Sequence, residues 1–249
     1  MQSETIWLEG HISVTAAIQG GFRTVTAVYL GHGKWSRQVA ALKRLALACN
    51  IPVEQVDESF IADRVSGNSH GGVIAEAGPR KFMGVADLIT GQQNPFIVML
   101  DGIEDPFNFG QAVRTLYAAG ANGLVVRPRN WMTAGSIVAR ASAGAAELIP
   151  TAVAETAVDA ATYFRSFGLQ IVTTTKKSTT TLYAVDLSGP LFILIGGERR
   201  GVTRSFLEQA DLRLQIPYGR QFGQSLGAAA SAAVLGFEIM RQRNQPPTA

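Results

Sequence analysis

A chain of 249 residues that is 47% hydrophobic and 16% charged has material for one large core or two modest ones, and its composition excludes a disordered polymer. Its net charge of +3 leans only weakly toward an acidic partner, so the placement of the arginines matters more than their surplus. No apolar run has the length of a membrane span, Gln2-Ser3-Glu4 does not open a signal peptide, and the single cysteine excludes an internal disulfide framework or a Cys-based metal cluster. A cytoplasmic protein without a metal or a membrane is expected, with Cys49 a buried small hydrophobe in a helix.

In chain order, Gly10-His11-Ile12-Ser13-Val14 leads into a short helix that stops at Gly20-Gly21. Thr24–Leu30 reads as a strand, Lys34–Cys49 as an amphipathic helix, and Val53–Val56 and Gly72–Glu76 as further strands. Pro79–Asn94 has the turn chemistry of a linker, with a short helix near Val85–Ile89. Beyond Pro95, strands near Phe96–Leu100, Gly123–Arg127, Leu169–Thr174, Leu191–Ile195 and Leu212–Ile216 alternate with helices, the last running from Ser225 to about Arg243. Such alternation specifies an α/β chain with a mainly parallel sheet covered on both faces. The expected domains are residues 1–78 and 95–249, joined by a linker over 79–94.

The most informative stretch is Asp105-Pro106-Phe107-Asn108-Phe109-Gly110-Gln111-Ala112-Val113-Arg114, which begins where a buried strand ends and a helix starts. That edge of a parallel sheet is where ligands bind. Pro106 stiffens the entry, Asn108 is placed to cap the helix, and Gly110 admits a second backbone. Arg114, one turn later, has no structural need to be charged. Two further patterns follow: Leu194-Ile195-Gly196-Gly197-Glu198-Arg199-Arg200-Gly201, and Ile216-Pro217-Tyr218 continuing to Ser225-Leu226 and an alanine-rich helix. Together with Arg140-Ala141-Ser142-Ala143-Gly144-Ala145, these stretches resemble, in order, the motifs of the SpoU/TrmH family of RNA ribose 2′-O-methyltransferases over about residues 95–243. More loosely, the first domain is similar to the small RNA-binding substrate domain found in part of that family, and His70-Gly71-Gly72-Val73 echoes its end.

Other site chemistries fit the residues poorly. The first strand of the second domain runs into Asp101-Gly102-Ile103-Glu104, which lacks the glycine-rich turn of a dinucleotide fold. Gly196 to Gly201 has P-loop glycine spacing, but Val202-Thr203 stands where the phosphate-binding lysine belongs. His11, His32 and His70 all neighbour glycines and read as turn or surface residues, and no His/Asp/Glu set has metal-ligand spacing.

The resemblance implies S-adenosyl-L-methionine as cofactor, a trefoil knot formed by the C-terminal strands, and a homodimer. It assigns Thr174, Gly196, Gly197, Ile216, Pro217 and Leu226 to the cofactor, and Asn108, Arg114, Glu198 and Ser225 to the chemistry. Read singly, Gly196-Gly197 and Ile216-Pro217 are ordinary strand-to-loop punctuation, Glu198 is a salt-bridge partner, and Ser225 is the N-cap of the last helix. Ser142-Ala143-Gly144-Ala145 is expected to pack tightly beneath the site, and Lys176-Lys177 to lie in an exposed loop. Arg127, Arg129, Arg199, Arg200, Arg204, Arg213 and Arg220 would surround the cleft if the strand ends gather at one edge, which suits structured RNA. Ribosomal RNA is favoured over transfer RNA by the likeness of the first domain. One departure stands out: Gly227 replaces the asparagine usual after Ser-Leu. It leaves open a noncatalytic RNA-binding protein that keeps the fold, and an S-adenosylmethionine enzyme with another acceptor.

Overall fold

The computed structural model describes residues 5–65, 69–128, 135–176, 178–197 and 199–244. Its elements begin with β1 (Ile6–Glu9), α1 (Gly10–Gly20), β2 (Val25–Gly31), α2 (Arg37–Ala48), β3 (Val53–Val56), α3 (Glu58–Ala62) and β4 (Val73–Ala77). After a 3-10 turn at Ala86–Leu88 come β5 (Phe96–Asp101), α4 (Pro106–Ala118), β6 (Gly123–Val126), α5 (Gly135–Ala141), α6 (Ala145–Leu148) and β7 (Thr151–Val153). The chain closes with α7 (Ala157–Ser166), β8 (Gln170–Thr174), β9 (Leu191–Gly196), α8 (Arg204–Gln209), β10 (Leu212–Leu214) and α9 (Ala228–Arg243). One compact unit holds the described residues of Met1–Lys81 and Ala134–Leu148; the other holds those of Phe82–Thr133 and Ile149–Ala249.

The first unit is a four-stranded sheet in the order β1-β4-β2-β3, backed by α1 and α2. Cap chemistry marks the start of α2 and the end of α1. Ser36 accepts the Val39 N–H at the start of α2, and Gly21, at φ 69°, closes α1 in the left-handed conformation a glycine adopts without strain. Cys49 corrects an expectation: it follows the last turn of α2 and is exposed rather than buried. Helices α5 and α6 lie between β6 and β7 in sequence, yet pack within this unit against α1 and β1. Their anchor is the buried carboxylate of Glu147, which accepts from Arg23 Nε at 2.9 Å and lies 3.5 Å from Arg80 Nη1. Burial pushes the Arg80 guanidinium down to about 10, with Glu147 acting in the opposite direction, so it stays charged at neutral pH. Ser142 to Ala145 pack tightly, as their small side chains suggested, but against α1: a Cβ on Gly144 would lie 2.6 Å from Ala16 Cβ.

The second unit is a six-stranded, wholly parallel sheet in the order β10-β8-β9-β5-β6-β7. Strands β5 and β9 occupy its middle, and their side chains alternate between two faces, as the pleat requires. Ile97, Met99, Phe192 and Leu194 join Phe164 of α7 and Phe206 of α8 in one apolar cluster. The opposite face is covered by α9, which also packs along α4, closely enough that a Cβ on Gly236 would come within 2.9 Å of Ala119 Cβ. The close packing offered by the small residues of the last helix is therefore used inside the domain at Gly236. The fold class read from the sequence, α/β with a parallel sheet and a small N-terminal α/β domain, is the one observed. Strands β1, of four residues, and β7, of three, are additions to the elements read from the sequence.

Candidate active site

Three neighbouring strand ends, Thr174 of β8, Gly196 of β9 and Leu214 of β10, meet at one edge of the second unit's sheet and line a cleft of about 710 Å³. This is the C-terminal edge of parallel strands, where the backbone fans apart and leaves room for a ligand. The chain after β10 adds Gln215, Ile216, Tyr218, Phe222, Ser225 and Leu226 to its walls; the chain after β9 adds Gly197, Arg200, Gly201 and Val202.

The wall formed by β9 is built by backbone approaching backbone. Asp101 at the end of β5 pairs with Gly196, and the Gly197 N–H donates to the Asp101 carbonyl at 2.7 Å. A Cβ on Gly197 would lie 1.8 Å from the Gly102 carbonyl oxygen, and one on Gly196 would lie 2.6 Å from the Gly201 carbonyl carbon. The two glycines are required by the chain's own folding, before any ligand is considered.

The loop beyond β10 is clasped rather than loose. Tyr218 Oη accepts the Leu226 N–H at 3.1 Å, and Lys176 Nζ donates to the Gly223 carbonyl at 2.6 Å. Gln215 exchanges backbone hydrogen bonds with Thr180 and Leu182, which ties the loop after β8 to the exit of β10. Leu226, which the resemblance assigns to the cofactor, has its own N–H engaged by Tyr218.

Of the residues expected at the site, Thr174, Gly196, Gly197, Ile216, Ser225 and Leu226 line the cleft together. Pro217 follows Ile216 with its side chain exposed. Asn108 and Arg114 sit on α4 outside the cleft wall, and Glu198 lies outside the described residues. Two cap expectations are corrected. Asp105, not Asn108, caps α4, its carboxylate accepting the Asn108 N–H at 2.9 Å, and this leaves the Asn108 side chain free of that duty. Gly227, not Ser225, precedes α9, and no side chain caps that helix. Arg114 is exposed and has no hydrogen-bond or ionic partner among the described residues.

The arginines expected to ring the cleft divide into two groups. Arg127 faces Asp101 at 3.6 Å, Arg199 faces Glu104 at 3.1 Å and Arg204 faces Glu208 at 2.8 Å, so much of their field is spent locally. Arg200 lines the cleft, Arg213 and Arg220 are exposed, and none of these three has a carboxylate partner among the described residues; Arg129 lies outside them. Sequence reasoning gave no role to Phe222 or to the Tyr218 hydroxyl. The signal was present in Tyr218-Gly219-Arg220-Gln221-Phe222, a short loop carrying two large rings and a cation.

A strand-end cleft walled by glycine backbone, beside a helix carrying a free arginine, matches a known class. Residues 95–237 match the SpoU rRNA Methylase family, and residues 7–83 match the RNA 2′-O ribose methyltransferase substrate-binding domain. The chain belongs to the SpoU rRNA methylase family and is an RNA ribose 2′-O-methyltransferase with the N-terminal substrate-binding domain. It is 31% identical over 235 residues to the 23S rRNA (guanosine-2′-O-)-methyltransferase RlmB of Pseudomonas aeruginosa, covering 93% of this chain and 94% of that one. It is 30% identical over 246 residues to a putative TrmH family tRNA/rRNA methyltransferase of Staphylococcus saprophyticus, covering 97% of each. Among solved structures, the AdoMet-bound rRNA methyltransferase from Sinorhizobium meliloti superposes with a TM-score of 0.79 at 25% identity, covering 95% of this chain and 87% of that one. The family resemblance read from the motifs is thereby confirmed for both parts of the chain.

Proposed function

We propose that the chain transfers a methyl group from S-adenosyl-L-methionine to the 2′-hydroxyl of a ribose in ribosomal RNA. The observation that carries this reading is the cleft at the ends of β8, β9 and β10. Its volume falls within the roughly 300–1,000 Å³ of small-molecule sites. Its walls combine apolar Ile195, Leu214, Ile216 and Leu226 with glycine backbone and polar Thr174 and Gln215. Such a lining suits a cofactor with a flat base at one end and charged groups at the other. Thr174, Gly196, Gly197, Ile216, Pro217 and Leu226 are the residues proposed to hold it. The bound cofactor supplies an electrophilic methyl group on a sulfonium.

What remains for the chain is to align the acceptor and to raise the nucleophilicity of a weakly acidic hydroxyl. Orientation alone contributes roughly 7–11 kcal/mol in favourable cases. Arg114 is proposed to stabilise the negative charge growing on the ribose oxygen. A guanidinium is a poor proton acceptor, and a phosphate or a water is a better one. Asn108, Glu198 and Ser225 are proposed to orient the ribose around it.

Arg114 stands outside the cleft wall of its own chain, which supports a homodimer in which the site draws on two copies. Exposed Phe107 and Tyr117 on α4, with Phe237 on α9, give the two packed helices the apolar surface for such pairing. The ties between Gln215 and the loop after β8 support a trefoil knot at the cleft. Residues 1–78 are proposed to bind structured RNA, and a ribosomal RNA substrate would place the protein in the cytoplasm. Among the described residues no helix is long and apolar enough to cross a membrane, and no group of His, Cys, Asp and Glu side chains is arranged to hold a metal.

Mapping of 2′-O-methyl groups in RNA from cells with and without the protein tests this reading. One or a few ribosomal riboses should lose the mark with the protein. An unchanged map in ribosomal RNA would contradict the proposal, and would promote the noncatalytic RNA-binding reading raised by Gly227.

A further inference from the structure

Two aromatic side chains stand in water on the rim of the cleft: Tyr218 is 38% exposed and Phe222 59%, although both belong to its lining. Large apolar surface left uncovered beside a ligand site marks a place of contact. The loop that carries the rings is tied down. The Leu226 N–H holds the Tyr218 hydroxyl, and Lys176 Nζ holds the Gly223 carbonyl next to Phe222. Their centroids lie 6.2 Å apart with the planes tilted by 48°, so neither ring lies flat on the other.

The charges around them choose the occupant. Exposed Arg220 falls between the two rings in sequence, and exposed Arg200 and Lys176 line the same cleft. Aromatic faces interleaved with cations bind unpaired nucleotides, whose bases stack on the rings while their phosphates meet the positive charge. A 2′-hydroxyl that is to reach a buried methyl group must be carried by a ribose drawn out of regular helical stacking. Its flanking base then needs a new stacking partner at the rim.

We propose that Tyr218 and Phe222 form a stacking platform for an unpaired RNA base beside the acceptor ribose. The proposal rests on the ribosomal RNA reading given above and adds to it a substrate subsite, separate from the residues assigned to the cofactor or the chemistry.

The test uses the full chain carrying Phe222→Ala or Phe222→Trp, with ribosomal RNA from cells lacking the protein as substrate. Phe222→Ala should raise the KM for RNA by about 5- to 150-fold, which corresponds to about 1–3 kcal/mol for one stacked base. Its kcat and its affinity for S-adenosyl-L-methionine should stay within about twofold, because the ring stands exposed at the rim and is not among the residues assigned to the cofactor or the chemistry. Phe222→Trp should restore the wild-type KM. An unchanged KM in Phe222→Ala would overturn the proposal. So would an equal loss of cofactor affinity, which makes the ring a cofactor lid, or a shift in oligomeric state, which makes it a subunit contact. If the wild-type protein transfers no methyl group, the enzyme reading fails by itself, and filter binding of the same RNA decides the platform. Weaker binding by Phe222→Ala than by wild type would uphold it, and equal binding would overturn it.

Discussion

Two sets of arginines, one in each unit, are placed in opposite ways. In the first, Arg23 and Arg80 are withdrawn from water and close on Glu147, whose side chain is fully buried. In the second, Arg114 and Arg220 stand exposed and Arg200 borders the cleft, with no carboxylate partner among the described residues. A buried guanidinium must be paired, because desolvation costs several kcal/mol unless an opposite charge offsets it. An exposed guanidinium contributes little to folding and is available to a ligand. Arg23 and Arg80 are therefore structural, and the exposed arginines around the cleft are available to an anion.

Substitutions on the two sides should separate that distinction. Glu147→Ala leaves two cations buried without their carboxylate and should cost about 3–5 kcal/mol of stability. Thermal unfolding would show it as a large fall in Tm, and an unchanged Tm would mean the cluster is not a structural lock. Arg114→Ala should leave Tm and cofactor affinity nearly intact while slowing methyl transfer by about 10²–10³-fold, the loss typical of removing one charge-stabilising donor. A marked loss of stability instead would place Arg114 with the buried group. Gly197→Ala tests the boundary between packing and binding. Its methyl group would meet the Gly102 carbonyl at 1.8 Å, so the strand ends must shift, at about 1–3 kcal/mol. Calorimetry should find weakened cofactor binding, and unaltered binding would show that the β9 wall is not part of the cofactor site.

Much of this was legible in the sequence. Alternating strand and helix signals located the parallel sheet, because β5 and β9 are continuous apolar runs of the kind only a doubly covered strand tolerates. The ordered motifs brought Thr174, Gly196, Gly197, Ile216, Ser225 and Leu226 to one cleft. Details decided by competition between neighbours were less legible. Asp105 and Asn108 are both good caps, and which of them closes α4 depends on where Pro106 starts the helix. Cys49 has the hydrophobicity of a core residue, but one position past the helix its side chain faces water. The packing of α5 and α6 within the first unit depends on Glu147 meeting Arg23 and Arg80, at separations of 124 and 67 residues, which no local pattern reveals. That docking also bears on a fragment starting near residue 93. It would expose Val138, Ala139 and Ala146, all buried here, so loss of the first unit should impair folding as well as RNA binding.

The central claim is that the cleft with its free arginine is a methyl-transfer site for ribosomal RNA. The most direct test incubates the purified full chain with tritiated S-adenosyl-L-methionine and ribosomal RNA from cells lacking the protein, then locates the label. Label recovered as a 2′-O-methyl group at a defined ribose is the result this account predicts. Saturable cofactor binding with no label on any RNA would contradict it.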